Sequence, residues 1–310
     1  MSYCRRALVG LCAIVVLMSS AFADRWSEEK AKRFKGLPDK VKTEIAAAVP
    51  SELAAEVSKP RRILVFYRCE GFIHNSIQHA NESIRAMGEK TGAFSADFAD
   101  TYDVFTDENL AQYDAILLNN TSHMQFTEPS QEAAFMDFVA GGKGLIGLHA
   151  ASDNFGRHPK CLAMVGGIFN GHPWGAGGKW AFKLNDPDHV LNNAFDGKGF
   201  WHTDEIYQYK PESYVGTGVL RVLVSLDMSQ SAVIDRIKDG PREVPVSWVR
   251  SIGDGRLFYT NFGHREDTFR NPLIMKHLLD GIQFALGDLE ADTTPSDEAN
   301  LGDPALAKKQ

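Results

Sequence analysis

The sequence predicts an α/β protein with a mostly parallel sheet flanked by helices and with extra β-hairpins in its second half. From residue 61 to about 150, strand-length apolar runs alternate with amphipathic helical stretches. That is the pattern of βαβ units, whose crossovers are right-handed. One run, Gly144-Leu145-Ile146-Gly147-Leu148-His149, has no polar residue until its last position, as in a strand covered on both faces. Beyond residue 178 the strand candidates shorten and are separated by turn residues, as in hairpins.

Taken in order, the chain opens with Arg5-Arg6, an apolar core from Ala7 to Met18 and the small-residue pattern Ala21-Phe22-Ala23. Together these predict a secretory signal peptide over residues 1–23. The apolar core is shorter than the ~20 residues that span a bilayer. The expectation is therefore an exported protein, periplasmic or extracellular, with no stable membrane anchor after cleavage near Ala23. Residues 24–60 are charged and Ala-rich and read as an N-terminal helical extension outside the core. The domain proper covers 61–287. Ile63-Leu64-Val65-Phe66-Tyr67 is a strand, and Ile77, Ala80, Ile84 and Met87 then repeat at helical spacing. Phe94 to Ala99 alternates as a second strand, and Ala115 to Leu118 is a third, ending at Asn119-Asn120-Thr121. Phe135, Phe138 and Val139 mark a helix opened near Thr127 and Pro129 and closed by Gly141-Gly142. The 144–149 run is the fourth strand. After the Gly-rich stretch from Gly166 to Gly178, strands are expected around 179–184, 201–209 and 219–226. Val244–Arg250 and Arg256–Asn261 form a hairpin about Asp254-Gly255. Leu273 to Leu286 is a final helix, with His277 on its solvated face, and 288–310 reads as a disordered tail.

The composition is ordinary for a globular protein: 310 residues, 44% hydrophobic, 24% charged, net charge −7. No block of Lys or Arg stands out, which argues against a nucleic-acid partner. The first strand is followed by Arg68-Cys69-Glu70-Gly71-Phe72 rather than G-x-G-x-x-G, and no P-loop is present, so nucleotide binding is unsupported. Cys4 and Cys12 leave with the signal peptide. Cys69 and Cys161 remain, either as one bridge or, by default, as two separate buried thiols.

Ligands of open α/β sheets bind at the carboxyl ends of the strands. His149 stands at such an end, where many α/β enzymes place a serine or cysteine nucleophile. His264, in Asn261-Phe262-Gly263-His264-Arg265-Glu266, also follows a strand, so both imidazoles reach one rim if the two strands run parallel. Histidine moves protons near neutral pH and, when neutral, binds divalent metals. His149 and His264 are therefore candidate catalytic residues, and His149, His172 and His264 are possible metal ligands. Asp204 and Glu205 are the candidate carboxylates. Being consecutive, they point to opposite faces of a strand, so one of them enters a site. His202 and Asp204, two apart, share a face. His74, His172, Trp174, Tyr207 and Ser152 complete a candidate substrate-binding set. The aromatics clustered from Trp174 to Tyr209 fit either a sugar-stacking rim or the core. His189 reads as turn chemistry.

Six motifs now stand in order: Gly71-Phe72-Ile73-His74-Asn75-Ser76-Ile77, Gly147-Leu148-His149-Ala150-Ala151-Ser152-Asp153, Gly166-Gly167 with Gly171-His172-Pro173, Asp186-Pro187-Asp188-His189, Thr203-Asp204-Glu205-Ile206-Tyr207, and Gly263-His264. Over residues 62 to 287 this sequence resembles the ThuA-like, or trehalose-utilisation, family. The resemblance implies a flavodoxin-like sheet related to class I glutamine amidotransferases. Those enzymes carry a cysteine at the elbow and a histidine followed by a glutamate. Here His149 stands at the elbow, with His264 near the partner position and Glu266 two residues on, so amidotransferase activity is not expected. The resemblance also implies carbohydrate catabolism. The leading expectation is an exported enzyme acting on a disaccharide or 3-keto-glycoside by His-based acid/base or metal-assisted chemistry. A non-catalytic periplasmic sugar-binding protein is the alternative.

Overall fold

The computed structural model describes residues 24–231 and 243–309. The signal peptide expected over 1–23 lies outside the described residues. The chain divides into two compact units, one ending at Lys35 and one beginning at Gly36. The described part of the first contains helix α1 (Arg25–Arg33), capped by the Asp24 side chain accepting from the Trp26 N–H, with Glu29 paired to Lys32 and Arg33.

The second unit holds α2 (Asp39–Ala48), β1 (Arg62–Phe66), α3 (Ile77–Thr91), β2 (Ser95–Ala99), α4 (Asp107–Leu110), β3 (Ala115–Asn119), α5 (Pro129–Ala140), β4 (Gly144–Leu148), α6 (Pro159–Val165), β5 (Lys179–Leu184), β6 (Phe200–Thr203), β7 (Arg221–Leu226), β8 (Pro245–Ile252), β9 (Gly255–Thr260) and α7 (Pro272–Leu286). Among the described residues nine strands form one sheet, in the order β2-β1-β3-β4-β9-β8-β7-β5-β6. The first five are parallel, in the flavodoxin-like order, and the rest are antiparallel.

Alternation along the parallel strands explains why both faces are covered. Ile63, Val65, Ala115, Leu117 and Ile146 point into one core with α2, α3 and α7. Leu64, Phe66, Ile116, Leu118 and Leu145 point into the other with α5 and α6. Each face is apolar, so β3 and β4 are buried at every position.

Several expectations need correcting. Residues 36–60 are not outside the core: Ile45, Ala48 and Val49 are buried against α3, and the Gln283 side chain on α7 holds the backbone of Ala54 and Ala55. The strand expected over 201–209 ends at Thr203, and its second half runs as an irregular segment with isolated bridges at Ile206 and Tyr209. The β8–β9 turn is centred on Gly253-Asp254, one residue earlier than expected, with Gly253 at φ +60° as a two-residue hairpin turn needs. The expected tail is tied down: Ala305 exchanges backbone hydrogen bonds with Leu184, and the Trp201 indole donates to the Lys308 carbonyl. Cys69 and Cys161 are separate buried thiols. Among the described residues no helix is long and apolar enough to cross a membrane.

His277 is fully buried rather than solvated. Its Nδ1–H donates to the Leu191 carbonyl at 2.7 Å and its Nε2 pairs with Ser247 Oγ at 2.8 Å. The sequence pattern marked it polar, but α7 is buried on nearly all sides. Burial pushes this imidazole down to about 4. A base depressed in the fold contributes stability fully above its unfolded pKa of about 6.5 and loses it as the pH falls towards 4. Over that window the contribution is about 3 kcal/mol. His277→Gln is expected to flatten the fall in denaturant-measured stability between pH 6.5 and 4; an unchanged slope would refute the assignment.

Candidate functional site

Two adjacent parallel strands set the site. In the β4–β9 pair Leu148 lies opposite Thr260, so the residues that follow both strands arrive at the same sheet rim. His149 comes directly after β4 with φ +44°, a left-handed conformation that a non-glycine residue adopts at a cost of roughly 1–2 kcal/mol. The turn continues as a 3₁₀ segment through Ser152. His149 is fully buried, and its Nδ1–H donates to the Asn261 carbonyl at 2.7 Å. That bond fixes the tautomer and leaves Nε2 as a bare lone pair.

After β9 the chain turns at Gly263, whose φ is +128°. A side chain there would also crowd the Phe269 ring at 3.2 Å. His264 follows. From the β1–α3 loop comes His74, buried, its ring edge-on to those of His149 and His264 at 4.9 and 5.0 Å. The His149 and His264 rings are 5.3 Å apart.

Glu205 closes the group. Its Oε1 lies 3.1 Å from His264 Nδ1 and 3.8 Å from His149 Nε2, and its Oε2 lies 3.2 Å from His172 Nδ1. The ligand-type atoms of His74, His149, Glu205 and His264 are all within 4.8 Å of one another. His74 Nδ1, His149 Nε2 and His264 Nδ1 are buried without a hydrogen-bond partner; the close His264–Glu205 contact is not aligned as a hydrogen bond. Burial, reinforced by the neighbouring histidines, pushes His74 down to about 3 and His149 well below the usual imidazole range. Both are therefore neutral at pH 7, with lone pairs free. Three imidazoles and a carboxylate are a donor set that a divalent metal accepts.

Of the two candidate carboxylates, one enters the site. Asp204 is fully buried behind it and accepts from the backbone N–H groups of Gly263, Arg265 and Glu205 and from the Thr268 hydroxyl, all within 3.0 Å. Burial pushes its carboxyl up to about 6 although these four donors pull it down. It is thus a positioning residue: it straps the Glu205 backbone to the loop carrying His264. His202 shares its face, as expected, with Nε2 3.1 Å from Thr268 Oγ1.

Three of the proposed substrate-binding residues do not face the cluster's open side. Trp174 is fully buried, and its indole donates to the Ser231 carbonyl. Ser152 Oγ is hydrogen-bonded to the Tyr259 hydroxyl at 2.9 Å, beneath the elbow. Tyr207 is buried with its ring 4.3 Å from that of His149, so it walls the imidazole instead of offering a free face. Nor does Glu266 follow His264 into the site: its nearest ionic neighbour is His79, at 3.8 Å. His172, stacked near Phe169, is half exposed over Glu205 and lies outside the four-residue group. Sequence reading missed Phe72, 61% exposed, whose ring is 4.7 Å from His74 and parallel to His264 at 6.5 Å. A large aromatic in a glycine-flanked loop just before a site histidine was the available signal.

A family model described as "ThuA: Trehalose utilisation" matches residues 62–285. The chain belongs to the ThuA family. Two solved ThuA-like proteins share the fold. One, from Bacteroides uniformis, is 20% identical with a TM-score of 0.59, over 74% of this chain and 93% of that one. The other, from Parabacteroides merdae, is 16% identical with a TM-score of 0.56, over 78% and 100%. No curated protein matches the chain. Every site residue named above falls within the matched ThuA span.

Asp204→Ala is expected to leave four donors without an acceptor and to lower stability by about 3–5 kcal/mol. Asp204→Asn, which keeps the volume and one acceptor, is expected to cost less. Urea unfolding midpoints check this; equal losses for both would mean that the hydrogen-bond strap is not what Asp204 contributes.

Proposed function

We propose that this ThuA-family protein is an exported carbohydrate-processing enzyme acting on a disaccharide or its 3-keto derivative. The observation that carries the reading is the convergence of three imidazoles, two of them buried, on Glu205 at the carboxyl rim of the sheet. The family description, trehalose utilisation, supports the substrate class. The N-terminal charge and hydropathy pattern supports export.

The site has an inner and an outer part. The inner cluster of His74, His149, His264 and Glu205 is polar and buried except for His264, which is partly exposed, and it is suited to hold the keto end of a sugar. At the mouth stand Phe72, an exposed ring on which the C–H face of a pyranose can stack, and His172, half exposed and in contact with Glu205. A keto group acidifies the neighbouring C–H. His172 takes that proton, the electron pair moves to the carbonyl oxygen as an enolate, and its return expels the anomeric oxygen substituent. That leaving oxygen recovers a proton from His172. Atoms and charge balance with no further reactant, and no covalent enzyme intermediate forms.

With a purified 3-keto-disaccharide, His172→Ala is expected to lower kcat by about 10²–10⁴-fold. Phe72→Ala is expected mainly to raise KM. An unchanged rate in His172→Ala would remove its assigned role. Calorimetric binding of the sugar without any product would convert the reading to that of a binding protein.

A further inference from the structure

The inner cluster gathers polar side-chain atoms that no hydrogen bond satisfies. Three of its imidazole nitrogens are buried without a hydrogen-bond partner. Each unpaired buried polar atom costs about 1–3 kcal/mol, so three converging on one point require an explanation. We propose that His74, His149, His264 and Glu205 hold one divalent transition-metal ion, with a coordination position left open towards His172 and Phe72.

Four observations carry this. The unpaired nitrogens belong to residues from three separate loops, after β1, β4 and β9, yet they converge with Glu205 within 4.8 Å. The other ring nitrogen of His149 donates to a backbone carbonyl, the outer bond that characteristically orients a metal-binding imidazole. Ligand atoms about 2.0–2.2 Å from a tetrahedral ion stand about 3.3–3.5 Å apart. The two Glu205 Oε1 separations, 3.1 and 3.8 Å, bracket that spacing. Finally, three nitrogens and one oxygen suit zinc, cobalt, iron or nickel; magnesium and calcium prefer all-oxygen sites. No second group of three or more such residues converges among the described residues.

The expected ligand set differs from the one read from sequence. His74 and Glu205 enter it, and His172 leaves. His172 touches the far oxygen of Glu205 and is half exposed, which places it over the ion's open side. An open position is the mark of a catalytic rather than a structural site.

This inference takes the location of the site from the proposed function but not its substrate. The test uses tag-free full-length protein, stripped with chelator and titrated with Zn(II) by calorimetry and with Co(II) by visible absorption. One equivalent is expected to bind, with Co(II) bands of four- or five-coordinate character. His149→Ala and Glu205→Gln are expected to weaken binding on the order of 100-fold or more. His172→Ala is expected to bind within about 3-fold of wild type. Circular dichroism verifies that each variant is folded. Sub-stoichiometric binding, or undiminished binding by folded His149→Ala, overturns the site. Loss in His172→Ala as large as in His149→Ala overturns the ligand set. Full turnover of the keto sugar by chelator-stripped protein sinks the metal while sparing the function. Stoichiometric metal binding without turnover does the reverse.

Discussion

Strands β4 and β9 lie side by side and parallel, with Leu148 opposite Thr260, although 112 residues separate those two positions. No other contact in the molecule decides as much. A parallel pair ends at one rim, so His149 and the 261–264 segment meet there without any long side chain having to reach. The Asn261 carbonyl then takes the His149 Nδ1–H, and the Gly263 N–H finds Asp204. Antiparallel pairing of the same strands would send the two imidazoles to opposite edges.

Around that rim the fold places buried polarity and then ties it to backbone. Asp204 is the clearest case: a fully buried carboxylate held by three N–H groups and a hydroxyl. Such a group specifies a geometry more than it adds stability, since burial opposes its charge. Its reach is local, joining residue 205 to residues 263–268. That span contains Glu205 and His264, two of the four residues that converge. Tyr259 acts similarly beneath the elbow, its hydroxyl bonded to the His149 carbonyl and to Ser152. The strained backbone at His149 is thus over-determined from below and from the side, which is how such a conformation persists.

These arrangements also explain what was and was not legible in the sequence. The parallel strands could be read because a sheet covered on both faces demands uninterrupted apolar runs, and Gly144–Leu148 is such a run. The meeting of His149 with His264 followed from strand ends alone. The sorting of polar residues did not. Ser152, Trp174 and Tyr207 looked like binding residues because hydroxyls and aromatic rings suit sugars. In the fold each is consumed by an internal partner, an assignment made by residues distant in sequence. His277 was misplaced for the opposite reason. Helical periodicity identifies the most apolar face but not how many faces are buried, and the Leu191 carbonyl and the Ser247 hydroxyl together make a core imidazole acceptable. Charge and alanine content disguised α2 and the 300–309 segment in the same way, because a few well-placed contacts anchor segments whose average composition is polar.

The elbow is the point where this architecture and its chemistry meet. A strand-to-turn corner projects one side chain above the sheet, and a hydroxyl or thiol there is built to attack. A histidine at that corner cannot reproduce that role while its Nδ1–H is committed to Asn261 and its ring is walled by Tyr207. What the corner does supply is a rigid nitrogen lone pair aimed at the space shared with His74, His264 and Glu205. Rigid, convergent donors are poor nucleophiles and good ligands, because ligation asks for fixed direction while attack asks for motion along the bond being made. The same corner that elsewhere delivers a covalent catalyst therefore serves here to fix the floor of a site. In the proposed function the group that moves a proton accordingly stands at the mouth, at the half-exposed His172.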